Sequence, residues 1–157
     1  MRLLAAALLC AMLPVRTPAQ DLGSYLAMRI DDATLPSSDR VTDRDGTTYL
    51  VQFERLVLSL RSGNRFRAAV RFRRSLSTAD TRSARTAPIQ SMTVTGTYAV
   101  VGKEIRFTPD PSKEAQGVTM LAGTVDGSQR ISVPFDYRNG SVQRRRVLKL
   151  QLRNDIL

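Results

Sequence analysis

From residue 45 onward the apolar residues recur at every second position. Phe66, Ala68, Val70 and Phe72 alternate with Arg67, Ala69, Arg71 and Arg73, so a strand here has one apolar face and one face mostly of arginine. The same period of two runs through Met92, Val94, Gly96, Tyr98 and Val100, through Ile105 and Phe107, through Ile131, Val133, Phe135 and Tyr137, and through Leu148, Leu150 and Leu152. Tyr49, Val51 and Phe53 begin another alternation, which changes phase because Leu56, Leu58 and Leu60 fall on even positions. A bulge or a break near Glu54-Arg55 is expected, since either restores the apolar set to the inner face. Ser24 to Ile30 is expected to be the first strand, and Val118 to Val125 another, bent at Gly123.

The joints carry turn chemistry. Ser62-Gly63-Asn64, Val101-Gly102-Lys103, Asp126-Gly127 and Asn139-Gly140 all supply residues that accept positive φ. Three polar stretches, 36–48, 75–88 and 109–117, are expected to be longer connections, with 75–88 a candidate lid. No helical period, heptad or internal repeat stands out. The pattern predicts an all-β fold, an antiparallel meander of about eight strands closed into a barrel so that no edge is left open. A two-sheet β-sandwich is the alternative.

The amino terminus has a different pattern. Arg2 precedes an uncharged apolar run from Leu3 to Leu13, and Thr17-Pro18-Ala19 places small residues before Gln20. That order predicts a cleaved signal peptide over 1–19 and one domain over 20–157, secreted or periplasmic. The run of 11 residues is short against the roughly 20 a membrane-spanning helix needs. Cys10 follows Leu9 rather than the small residue lipid attachment requires, and is read as part of the apolar run.

Composition then narrows the chemistry. After cleavage the chain keeps 22 basic and 14 acidic residues, a net +8, with no Cys and no His. Disulfides, thiol nucleophiles, imidazole bases and Ser-His-Asp triads are therefore excluded from the mature chain. Zinc, copper and haem sites lose their usual nitrogen and sulfur ligands. No cofactor and no catalytic machinery are expected. A carboxylate-pair glycosidase stays chemically possible, but no spacing suggests one. The basic charge favours anionic partners such as envelope polymers or lipid head groups. Nucleic acid is a poor fit to an exported protein.

Candidate residues follow from these points. The predicted inward residues include Leu58 and Ile105 with Phe53, Phe66, Val70, Phe72, Tyr98, Phe107, Phe135 and Tyr137, and the last eight are the candidate lining for a small apolar ligand. An eight-stranded barrel is either filled by such side chains or holds one small ligand. Arg67, Arg71 and Arg73 line one strand face, and Arg144, Arg145 and Arg146 form a second cluster. If both lie on one side, they make a surface for phosphate, sulfate or carboxylate groups. Asp43-Arg44-Asp45-Gly46 resembles part of a calcium loop, but Val41 and Gln52 would stand where ligands belong; an Asp-Gly turn explains it as well. Asp31-Asp32 are adjacent, and neighbours on a strand face opposite ways.

A succession of motifs carries a resemblance: Thr95-Gly96-Thr97-Tyr98, Gly102 in a turn, Ile105-Arg106-Phe107-Thr108, then Gly123-Thr124-Val125-Asp126-Gly127 and the strand from Ile131. Over residues 90–137 the chain resembles the lipocalin-like proteins of bacterial envelopes. The resemblance implies a monomeric ligand-binding barrel. Lipocalins carry Gly-x-Trp on the first strand with an arginine packed over the tryptophan. Here Gly23-Ser24-Tyr25 stands in that place, and Arg144 to Arg146 are the candidate partners for the tyrosine. The expected function is a non-enzymatic carrier of a small apolar or amphipathic ligand. The alternative is an envelope interaction protein that uses its arginine face.

Overall fold

The computed structural model describes residues 22–77, 87–111, 118–139 and 141–153. The predicted signal peptide and the middle of the candidate lid lie outside the described residues. The described chain is all-β, with eleven strands and no α-helix. In order they are β1 (Gly23–Ile30), β2 (Ala33–Thr34), β3 (Ser37–Thr42), β4 (Thr48–Arg61), β5 (Arg65–Leu76), β6 (Ile89–Val101), β7 (Glu104–Pro109), β8 (Val118–Met120), β9 (Gly123–Asp126), β10 (Arg130–Asn139) and β11 (Val142–Arg153).

Eight strands close into an antiparallel barrel. The ring runs β1-β4-β5-β6-β7-β9-β10-β11 and returns to β1, and the short β2, β3 and β8 are additions to it. The predicted inward residues are all buried: Tyr98 is 8 % and Phe107 9 % exposed, and the other eight less than that. Tyr25, Ile131, Val133 and Leu148 join them in one continuous core.

The bulge falls where the phase change requires it. Phe53 pairs with Phe72 and Arg55 with Arg71, leaving Glu54 as the extra residue. This keeps both Phe53 and Leu56 inside.

Two connections differ from expectation. The polar stretch 36–48 contains β3, which pairs Ser37–Thr42 against Phe53–Thr48. Its polarity hides an alternation in which Ser37, Asp39 and Val41 share the inner phase, and only Val41 is apolar. The predicted strand 118–125 is two strands. β8 pairs with Phe135–Tyr137 and β9 with Arg130–Ser132, and the break lies opposite Val133-Pro134. Pro134 has no N–H to give a ladder, but its carbonyl accepts from Leu121 N at 2.9 Å.

The barrel wall changes hands along one seam. β1 pairs with β4 only over Gly23–Leu26. It then follows β11 and turns back through β2. Beyond the bulge, β3 takes its place against β4. β3 pairs with no other described strand, so the upper seam between β3 and β11 has no backbone ladder.

Candidate functional site

The arginines of β5 lie on the outer face, because their neighbours Phe66, Ala68, Val70 and Phe72 fill the core. Arg67 and Arg71 are exposed. Arg73 is half-buried: its Nε donates to Glu54 Oε1 at 2.8 Å and a terminal nitrogen donates to the Ala87 carbonyl at 2.5 Å.

The flanking strands extend this face. Arg55 stands directly opposite Arg71, and Arg61 opposite Arg65. On the other side β6 places Ser91, Thr93, Thr95 and Thr97 in register with Arg71, Ala69, Arg67 and Arg65. Like charges directly opposite on a sheet oppose folding. Among the described residues two carboxylates answer them: Glu54 on Arg73, and Asp110 on Arg65 at 2.9 Å. Among the described residues, Arg55, Arg61, Arg67 and Arg71 form no ion pair. Sequence reasoning passed over Arg55; the bulge itself was the signal, since it turns that side chain outward beside Arg71.

The second arginine cluster does not join this face. β11 is separated from β5 by β1 and β4 around the ring. The three residues also have separate roles. Arg145 grips Asp136 with two hydrogen bonds, at 2.8 and 3.1 Å, and Gln143 adds a third at 3.0 Å. Arg146 stands opposite Phe135 and turns inward, pairing with Asp39 at 2.6 Å and Asp31 at 3.2 Å. Arg144, opposite Tyr137, is exposed at the barrel's upper end. The condition for one shared anion surface, both clusters on one side of the barrel, is not met.

The expected stacking of these arginines on Tyr25 is corrected too. Tyr25 pairs with Leu152, six residues from Arg146, or about 20 Å along the strand. Its hydroxyl donates to the Ser128 carbonyl at 2.8 Å.

The polar groups of the seam form one network. The Tyr137 hydroxyl donates to Asp39 Oδ2 at 2.5 Å while Arg146 holds Oδ1. Burial is the largest single influence on Asp39 and opposes its charge. Hydrogen bonds from Arg146 and Tyr137, with the charges of Arg146 and Arg144, outweigh it, and the carboxyl sits below its ordinary range. Burial, then Asp39, pushes the Tyr137 hydroxyl well above the usual tyrosine value. Asp136 is also lowered, chiefly by the Arg145 hydrogen bond. Sequence reasoning missed Asp39. Its signal was a carboxylate in phase with Val41.

These shifts predict an acid limit to stability. A carboxyl lowered in the folded state stabilises the fold above its unfolded pKa, about 3.9 for Asp, and that contribution is lost as pH falls through the folded value. With no His to titrate, the urea midpoint should be nearly level from about pH 8 to 5 and fall below about pH 4. A steep fall already between about pH 7 and 5 would contradict this assignment.

Asp43 and Asp45 shape the β3–β4 hairpin. Asp43 accepts from Arg44 N at 2.7 Å and from the Ser141 hydroxyl, and Asp45 accepts from Thr47 N at 2.8 Å. The Asp-Gly turn reading fits, with Gly46 at φ 84°. Asp31 and Asp32 both lean on β11, through Arg146 and Lys149.

Comparison with protein-family models, curated proteins and solved structures finds no match.

The barrel interior beneath the upper end is occupied by its own rings. Phe53 meets Tyr137 edge-on at 5.0 Å and Phe135 at 6.1 Å, and Phe66 meets Phe107 at 5.0 Å. The space bounded by Val51, Phe53, Phe72, Met92, Val118 and Tyr137 measures about 20 Å³. That is about one water molecule's worth.

Proposed function

We propose that the protein is an exported, non-enzymatic binding protein that holds an anionic envelope polymer on the outer face of β4, β5 and β6. The observation that carries this reading is the directly opposed pair Arg55 and Arg71, continued by Arg67 and Arg61, with no carboxylate paired to any of the four among the described residues. A bound anion would relieve the cross-strand repulsion that the free protein bears. On β5 Arg67 and Arg71 stand four residues apart, about 13 Å, with Ala69 between them, and Arg55 of β4 stands directly opposite Arg71, a spread of charge that suits a polymer carrying several sulfate, phosphate or carboxylate groups. Guanidinium forks bind such groups in pairs of hydrogen bonds, and the hydroxyl row of β6 offers further donors. Export, expected from residues 1–19, would bring the face to such polymers.

A ligand carried inside the barrel is the less favoured reading. Where Val51, Phe53, Phe72 and Tyr137 meet, the interior leaves about 20 Å³, room for about one water molecule.

The test is retention on immobilised dextran sulfate. Wild-type protein should bind at low salt and elute as salt rises. The Arg67→Ser/Arg71→Ser variant should elute at clearly lower salt, while Arg144→Ser, altered at the barrel's upper end away from that face, should elute with wild type. Equal elution of wild type and the double variant removes the arginine face from the account.

A further inference from the structure

The seam between β3 and β11 opens into a cleft of about 280 Å³. Its lining is unlike the rest of this basic protein. Asp31 and Asp39 stand on its walls with Arg146 between them, Ser37 and Ser38 come from β3, and Phe53 forms its apolar side. We propose that this cleft binds one ring of a neutral saccharide.

Four features lead to that class. The volume lies just under the roughly 300–1,000 Å³ usual for small-molecule sites, which fits a single ring better than a long ligand. The lining alternates acceptors and donors, carboxylates beside serine hydroxyls and a guanidinium, and a polyol presents both kinds of group. The polar groups are fixed in advance. Arg146 ties Asp39 at 2.6 Å and Asp31 at 3.2 Å. The second Asp31 oxygen accepts from Val147 N at 2.9 Å. A ligand therefore meets carboxylates already ordered, and each oxygen keeps a lone pair for a hydroxyl. Finally, Ile30, Ala33 and Phe53 line the cleft beside Ser37, which stands in register with Phe53, so an apolar wall adjoins a hydroxyl, as the C–H face and the rim of a sugar require.

An anionic ligand fits poorly, because the carboxylates of Asp31, Asp32 and Asp39 outnumber the one arginine in the lining. This proposal is independent of the arginine face, which lies on the outer side of β4, β5 and β6.

The experiment is a titration of the folded protein with a panel of neutral mono- and disaccharides, followed by backbone amide shifts. It is run at high salt, so that the arginine face is screened. At least one sugar should move the amides of Asp31–Ala33 and Ser37–Asp39, with saturation in the millimolar range or tighter, and leave Arg67 and Arg71 unmoved. Ser37→Val fills the cleft without touching the ion pairs, and should weaken binding at least about tenfold, the value of one lost hydrogen bond. Ser38→Ala, altered at an exposed position, gives a second variant should Ser37→Val fail to fold; it should weaken binding as well. The proposal is overturned if no sugar moves these amides. It is equally overturned if both variants bind as wild type does, or if spermidine moves these amides and the sugars do not.

Discussion

Replacing Phe135 by Ala is expected to lower the stability of the fold by about 3–5 kcal/mol, the range for removing a buried aromatic ring. Phe135 is fully buried and sits where three parts of the wall meet. It pairs with Met120 on β8 and with Arg146 on β11. Its ring lies 6.1 Å from Phe53 and 5.9 Å from Tyr137. The ring thus supports both the bulged strand and the tyrosine that holds Asp39. Its loss would leave a void that neighbouring strands, fixed by their ladders, can close only in part. The urea midpoint read by far-ultraviolet circular dichroism should fall sharply with little change in slope. A loss under about 1 kcal/mol would mean that the interior is not packed as described.

Gly96→Ala is expected to be costly for a steric reason. Gly96 has ordinary backbone angles, so space alone is at issue. A Cβ placed there would lie 2.1 Å from the Thr108 carbonyl oxygen, 2.7 Å from Phe66 Cε1 and 2.8 Å from Pro109 Cα. Two of those neighbours are backbone, in the strand paired to Gly96 itself. The β6–β7 ladder would have to part or the Phe66 ring to leave its place against Phe107. The expected cost is about 1–3 kcal/mol or more, as for other overpacked cores. Thermal unfolding followed by the same signal measures it, and a melting point equal to that of wild type would contradict the close approach of β6 and β7.

Much of the barrel was legible because a strand with one wet face writes its burial into the sequence at a period of two. Phe66 to Phe72 and Ile131 to Tyr137 needed no further information. The phase change between Phe53 and Leu56 announced an irregularity, a bulge or a break, at Glu54-Arg55. β3 was not legible, because its inward residues Ser37 and Asp39 are polar, and Asp39 is satisfied by partners far along the chain. Tyr137 and Arg146 lie about a hundred residues from Asp39, and no local pattern reports such a pairing. The split of β8 from β9 depends on Pro134 in the neighbouring strand, which is again a non-local cause. The arginine face was half legible: alternation placed Arg67, Arg71 and Arg73 outside, but strand order alone separates them from Arg144, Arg145 and Arg146. Charge clusters carry no label for the strand that will stand beside them.

The unneutralised arginines of β4 and β5 are the surface on which the proposed polymer binding depends. The most direct measurement is the affinity for dextran sulfate as a function of salt, for wild type and for Arg55→Ser/Arg67→Ser/Arg71→Ser. Log K should fall steeply with log salt in wild type, and in the variant the slope should be shallower by roughly one for each arginine removed. An unchanged slope and affinity in the variant would contradict it.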